Sequence, residues 1–199
     1  MRQTILIGAF AVLSLQACTI FTTRTPEPPD TRRSSFQPPT SAQVVITNLQ
    51  SSIREKNIEN FIQCLISGDS GTTQQRYTFE PSSEAAARFA AVFIGWNVVK
   101  ERQSFTAFTA KIPMMSAPSF QFSNDRFELL SPDSAVYVAD YLIRPNAQQN
   151  GVALEFSGRA RITIASFPSG FWAIRRWSDQ TLTQSSSASW SILKAQFAN

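Results

Sequence analysis

The chain has 199 residues, a formal net charge of +4 and an apolar content of 43%. A charge that mild implies no strong electrostatic partner, and the apolar content is that of a globular chain long enough to bury one real core. There is no histidine, which argues against a zinc or non-haem iron site, and no cofactor is expected.

Arg2 supplies a short positive start, and Ile5 to Leu15 supply an apolar run, the pattern of a secretory signal peptide over residues 1–17. From Thr4 to Ala17 the run is only about 14 residues, against roughly 20 for a membrane-spanning helix. It is therefore expected to be removed. The cut site, Leu15-Gln16-Ala17-Cys18, resembles the lipobox of bacterial lipoproteins. That resemblance implies a diacylglyceryl thioether on the Cys18 sulfur, cleavage before it and acylation of the new amino group. At roughly 0.8 kcal/mol per buried methylene, three acyl chains make attachment effectively permanent. Thr19 in place of Asp after the cysteine resembles the enterobacterial pattern that sorts to the outer membrane over the inner one. Loss of Arg2 leaves the mature charge near +3. With Cys18 acylated, Cys64 is the one remaining thiol, so no intramolecular disulfide is expected. Among Phe61, Ile62, Leu65 and Ile66 it reads as a small buried hydrophobe.

Residues 18–39 carry the lipidated cysteine and a tether rich in Thr, Ser, Pro and Arg, with Pro26, Pro28, Pro29, Pro38 and Pro39 and no apolar periodicity. Fully extended, Thr19 to Pro39 reaches roughly 70 Å. Arg24, Arg32 and Arg33 could touch anionic lipid, but solubilising the tether is their expected use.

A single globular domain is expected over residues 40–199. Thr40-Ser41 is an N-cap pair, and Val44, Val45, Ile46, Leu49 and Ile53 give an amphipathic helix to about Lys56. Asn57 caps a second helix with Ile58, Phe61, Ile62 and Leu65 on one face, stopping at Gly68. Tyr77-Thr78-Phe79 reads as a short strand, and Pro81-Ser82-Ser83-Glu84 opens a third helix ending near Gly95. From Val98 the pattern predicts antiparallel strands at about Phe105–Ile112, Phe120–Leu130, Ala135–Arg144, Val152–Ser166 and Phe171–Ser178, with turns at Pro132-Asp133, Pro145 to Gly151 and Pro168 to Gly170. Leu154, Phe156, Gly158, Ala160, Ile162 and Ile164 form a dry face opposite Glu155, Ser157, Arg159, Arg161 and Thr163. Gly158 and Ala160 leave room for a bulky neighbour, a bend or a close helix. A last helix near Ser187–Phe197, with Trp190, Leu193 and Phe197 on one side, locks the end of the chain onto the body.

This α+β order, N-terminal helices and then a long curved antiparallel sheet plus a C-terminal helix, resembles the nuclear transport factor 2-like (cone-shaped) superfamily over about Ser41 to Asp179. The features that carry it are Asn48-Leu49 through Glu55-Lys56-Asn57-Ile58-Glu59-Asn60-Phe61, Ser134-Ala135-Val136-Tyr137-Val138, and Gly170-Phe171-Trp172-Ala173-Ile174. The resemblance implies a cavity between helices and sheet, and a superfamily of isomerases, dehydratases, cyclases, adaptors and inert binding domains, so fold does not settle function.

The missing histidine removes the His-Asp dyads of several dehydratases in that superfamily. A steroid-isomerase-like site needs a buried carboxylate facing a Tyr or protonated acid. Asp140 is the candidate base, sharing a strand face with Val136, Val138 and Leu142, while Tyr141 points the other way. Tyr77 or Glu80, near the cone mouth, would have to be its partner. A surface carboxylate is the blander identity of Asp140. Arg175 and Arg176 amid Trp172 and Trp177 invite a nucleic-acid reading, but alternation places them on opposite faces, and no nucleic acid is expected. Related cones often dimerise through the sheet, where Arg159 and Arg161 imply a salt-sensitive contact or none. The expected function is a membrane-tethered envelope lipoprotein whose non-catalytic domain binds a protein partner or a small apolar ligand in the cone. The alternative is a small hydro-lyase or isomerase with a buried carboxylate base.

Overall fold

The computed structural model describes residues 34–66, 76–147, 152–182 and 187–198. The expected signal peptide, Cys18 and the tether to Arg33 lie outside the described residues, as does Gly68.

Residues 34–39, the end of the expected tether, lie along the first helix. The Asn48 amide exchanges hydrogen bonds with the backbone of Gln37 (2.9 and 2.7 Å), and the Trp172 N–H donates to the Pro39 carbonyl at 2.7 Å. Ser41 then caps α1 (Ala42–Arg54), accepting from the Val44 N–H, and Val45, Ile46, Leu49 and Ile53 turn inward at helical spacing. The helix stops at Lys56, whose φ of 55° no helix interior tolerates. Asn57 restarts the chain by capping α2 (Ile58–Gln63). Leu65 bridges to Ile174 and so joins this corner to the sheet.

β1 (Thr78–Glu80) is followed by α3 (Ser83–Arg88), capped by Ser82, and α4 (Ala90–Phe93). The single third helix expected there breaks at Phe89, whose φ of −132° is not helical. The expectation of a strand at Phe105–Ile112 is overturned, because Val98–Ala110 is a helix, α5. Asn97 opens it by accepting from the N–H groups of Val99 and Lys100, and Glu101, Ser104, Phe105 and Phe108 turn inward at intervals of three and four residues.

The sheet comprises β2 (Ser119–Leu130), β3 (Ser134–Arg144), β4 (Phe156–Ser166) and β5 (Trp172–Gln180), with β1 on its far edge in the order β1-β5-β4-β3-β2. β2 to β5 pair antiparallel as expected, whereas β1 joins β5 in parallel, Phe79 opposite Trp177. β4 begins at Phe156 and not Val152, leaving Leu154 83% exposed outside the dry face expected for it. A β-bulge corrects the prediction for the two arginines. The register passes from Thr163 opposite Arg176 to Ile164 opposite Ile174, so Arg175 is the extra residue, and Arg175 and Arg176 are both exposed while Ile174 and Trp177 both turn inward.

α6 (Trp190–Gln196) closes the fold between α5 and the sheet. Trp190 to Ala195 are buried without interruption, which is what a helix enclosed on every side requires.

Candidate functional site

The inner face of the sheet is lined by Tyr137, Ala139, Tyr141 and Ile143 of β3, Phe156, Gly158, Ala160 and Ile162 of β4, and Trp177 and Asp179 of β5, all buried. Gly158 is obligatory for its neighbour. A Cβ there would sit 2.3 Å from the Tyr141 hydroxyl oxygen and 2.6 Å from the Gln180 carbonyl oxygen, so the missing side chain is the space in which Tyr141 stands. This is the bulky neighbour the sequence implied.

Two polar clusters meet within this interior. In the first, the Asp179 carboxylate accepts from the Tyr141 hydroxyl (2.6 Å), the Ser191 N–H (2.8 Å) and the Ser191 hydroxyl (2.5 Å). The Tyr141 oxygen accepts the Trp190 N–H at 2.7 Å, and the Ser82 N–H donates to Ser191 Oγ at 2.9 Å. Burial pushes the Asp179 carboxyl above its ordinary range, against the pull of those donors, and raises the Tyr141 phenol, with the Asp179 charge adding to the effect.

In the second cluster, the Glu101 carboxylate accepts from the Tyr77 hydroxyl (2.6 Å), the Trp96 indole N–H (2.7 Å) and the Lys194 ammonium. Glu101 and Lys194 form an ion pair with side chains 1% and 2% exposed. Rings surround the ammonium: its Nζ is 4.4 Å from the Phe79 centroid, 5.3 Å from Trp190, 5.5 Å from Trp177 and 5.6 Å from Trp96. Their negative faces and Glu101 hold the cation, although burial draws its pKa down. Trp177 and Trp190 stack at 5.5 Å, 12° from parallel.

The occupant of the cone is therefore the chain itself. Among the described residues, a void of about 10 Å³ lies between α2, α5 and α6, bordered by Phe61, Glu101, Ser104, Phe108, Trp190 and Lys194. That is the room of a single water molecule and no more. A larger, open hollow of about 400 Å³ lies outside, at Glu80, Ser83, Ser178, Gln180 and Thr181. Asp179 borders it too, but its carboxylate is committed to Tyr141 and Ser191.

The residues singled out from the sequence are not gathered in one place. Asp140 lies on the outer face, where Arg159 Nε donates to it at 2.7 Å and Asn124 Nδ2 at 3.0 Å, and the arginine holds its carboxyl below the usual range. Tyr77 is inside on Glu101, and Glu80 is on the opposite sheet edge with Arg176 and Ser178. Asp179, Glu101 and Lys194, the charged groups inside the cone, were missed. The available signal was the position of Asp179 two residues after Trp177 on one strand face, and of Glu101 four residues before Phe105 on one helix face. Among the described residues no group of three metal-ligating side chains comes together.

No protein-family model matches the sequence, and no curated protein sequence matches it. Solved structures do. A proposed scytalone dehydratase from Novosphingobium aromaticivorans superposes with a TM-score of 0.54 at 9% identity, over 74% of this chain and 88% of the other. A proposed aromatic ring hydroxylase from the same organism gives 0.51 at 16% identity, over 71% and 86%. A proposed dehydratase of the NTF2-like family from Streptomyces avermitilis gives 0.50 at 11%, over 70% and 92%. At these identities the likeness establishes the architecture: the chain has the nuclear transport factor 2-like cone fold.

Proposed function

We propose that this chain is a lipid-anchored envelope protein, exported by residues 1–17, acylated on Cys18 and held at the outer membrane, whose cone domain binds a protein partner and catalyses no reaction. The lipobox at Leu15-Gln16-Ala17-Cys18 and the proline-rich stretch after it support the anchor. The observation that carries the binding role is the filled cone: Trp190, Leu193 and Lys194 occupy the space a substrate would need. This packing favours a protein partner on the outer surface over an apolar small molecule in the cone. The test of the anchor is incorporation of labelled palmitate into the wild-type chain and its loss in Cys18→Ser; a Cys18→Ser protein still processed and held at the membrane overturns it. The test of the filled cone is an apolar fluorescent probe, which the native protein should leave dark. Saturable, stoichiometric binding of the probe refutes that part.

The hydro-lyase or isomerase alternative has one observation in its favour, the buried Asp179–Tyr141 pair, a carboxyl of raised pKa beside a phenol. It also draws on the enzyme names among the fold neighbours. It requires Trp190 and Ser191 to leave the site. Amide exchange at Trp190 to Lys194 as slow as global unfolding would eliminate it.

A further inference from the structure

The chain enters the described domain at one corner. The Ser34 hydroxyl oxygen accepts from Asn60 Nδ2 at 2.6 Å, and Ser35 donates to Glu55 through both its N–H and its hydroxyl. Next to Glu55, the Lys56 ammonium donates to the carbonyls of Pro113 (2.9 Å) and Met114 (3.2 Å). That contact fixes the 113–115 turn at the same corner. Met114 is 76% exposed and Met115 95%, adjacent in sequence. Exposed cations flank this corner in sequence, Arg54 two residues before Lys56 and Lys111 two residues before Pro113, while Glu59 is engaged by Arg102 and Glu55 is held by Ser35.

We propose that this corner, Met114 and Met115 rimmed by Arg54, Lys56 and Lys111, is the face the domain lays against an anionic lipid surface. The proposal rests on the lipid-anchored reading of Cys18. Fifteen residues, Thr19 to Arg33, separate the acylated cysteine from Ser34, a span of at most about 50 Å. A flexible chain of that length averages about 20 Å, less than the roughly 40 Å width of a domain of this size, so the anchor holds the exit corner nearer the bilayer, on average, than the opposite end. Two unbranched thioether side chains on a rigid turn suit the apolar edge of the headgroup layer, and three cations suit its phosphates. The acyl chains provide the affinity. The corner sets orientation, for which a weak contact suffices once it has become intramolecular.

The methionines themselves provide the readout. The sequence holds three, and the chain from Cys18 onward keeps only Met114 and Met115, so sulfoxide formation appears directly in the intact mass. The Cys18–Asn199 chain is coupled through its Cys18 thiol to a maleimide phospholipid in phosphatidylethanolamine/phosphatidylglycerol vesicles, which makes the test independent of acylation in the cell. Peroxide oxidation of the coupled chain should be about fivefold slower or more than that of uncoupled Cys18→Ser chain mixed with maleimide-free vesicles of the same lipids, the factor expected when the docked state dominates. Protection should weaken in phosphatidylcholine vesicles and in Arg54→Glu/Lys111→Glu. Equal rates for coupled and uncoupled chain overturn the proposal. So does protection that appears without vesicles as protein concentration rises, which assigns the corner to a second copy. Failure of palmitate labelling in cells with protection intact in vitro removes the anchor and leaves the surface property standing.

Discussion

At the scale of single residues the interior contains charges that hold one another in place. Removing the Lys194 ammonium strands the Glu101 carboxylate without its cation, and breaking a buried pair from one side typically costs about 3–5 kcal/mol. Lys194→Met is expected to lose that much in urea denaturation, and Lys194→Met/Glu101→Gln less than the sum of the single variants, since the double change leaves no unpaired charge. Asp140 and Asp179 are expected to titrate on opposite sides of the ordinary 3.8 when followed by carboxyl carbon resonances. Folding lowers Asp140, so its contribution to stability is present above 3.8 and is lost as pH falls through the lowered value. Folding raises Asp179, which binds its proton more tightly in the native state, so its contribution declines as pH climbs from 3.8 through the raised value. Cys64 is 1% exposed, and burial pushes its thiol up to about 12. At pH 8 a thiol reagent should react with it only after denaturant is added, and rapid alkylation of native protein would contradict the packing.

Elements differ in how plainly the sequence announced them. Ser41, Asn57 and Ser82 are caps on which the structure and the sequence agree, because a short polar side chain before an apolar-periodic run satisfies the free N–H groups of a first helical turn. α5 was mistaken for a strand, although Phe105, Phe108 and Ile112 recur at three and four residues, because its threonines and aromatics suit a pleated sheet by composition. The bulge at Arg175 had no local signal, because an inserted residue changes which side chains turn inward without changing residue type. Asp179 escapes for another reason, since the expected strand stops at Ser178, one residue short of it. Gly158 was legible as a gap, though not the Tyr141 hydroxyl that fills it. Gly158→Ala should cost about 1–3 kcal/mol as overpacking, more if Tyr141 must release Asp179. A denaturation midpoint unchanged from wild type would show that the strand shifts freely.

For the whole molecule, α6 decides whether the cone is a container or a core. Burying Trp190, Ile192 and Leu193 at about 1.5–3 kcal/mol each rivals the entire net stability of an average domain, about 5–15 kcal/mol. A chain ending at Leu182 should therefore lose its cooperative transition and bind a hydrophobic dye, as measured by calorimetry and fluorescence. Full cooperativity in that truncation would mean that α6 merely covers a core complete without it. The parallel β1–β5 pairing has its own consequence for a chain that emerges N-terminus first. β1 follows α2, yet its hydrogen-bonding partner arrives only after three intervening strands, so that edge waits, open, while they emerge. Until β5 appears, the β1 edge that Trp177 will later pair is open to any other unpaired strand.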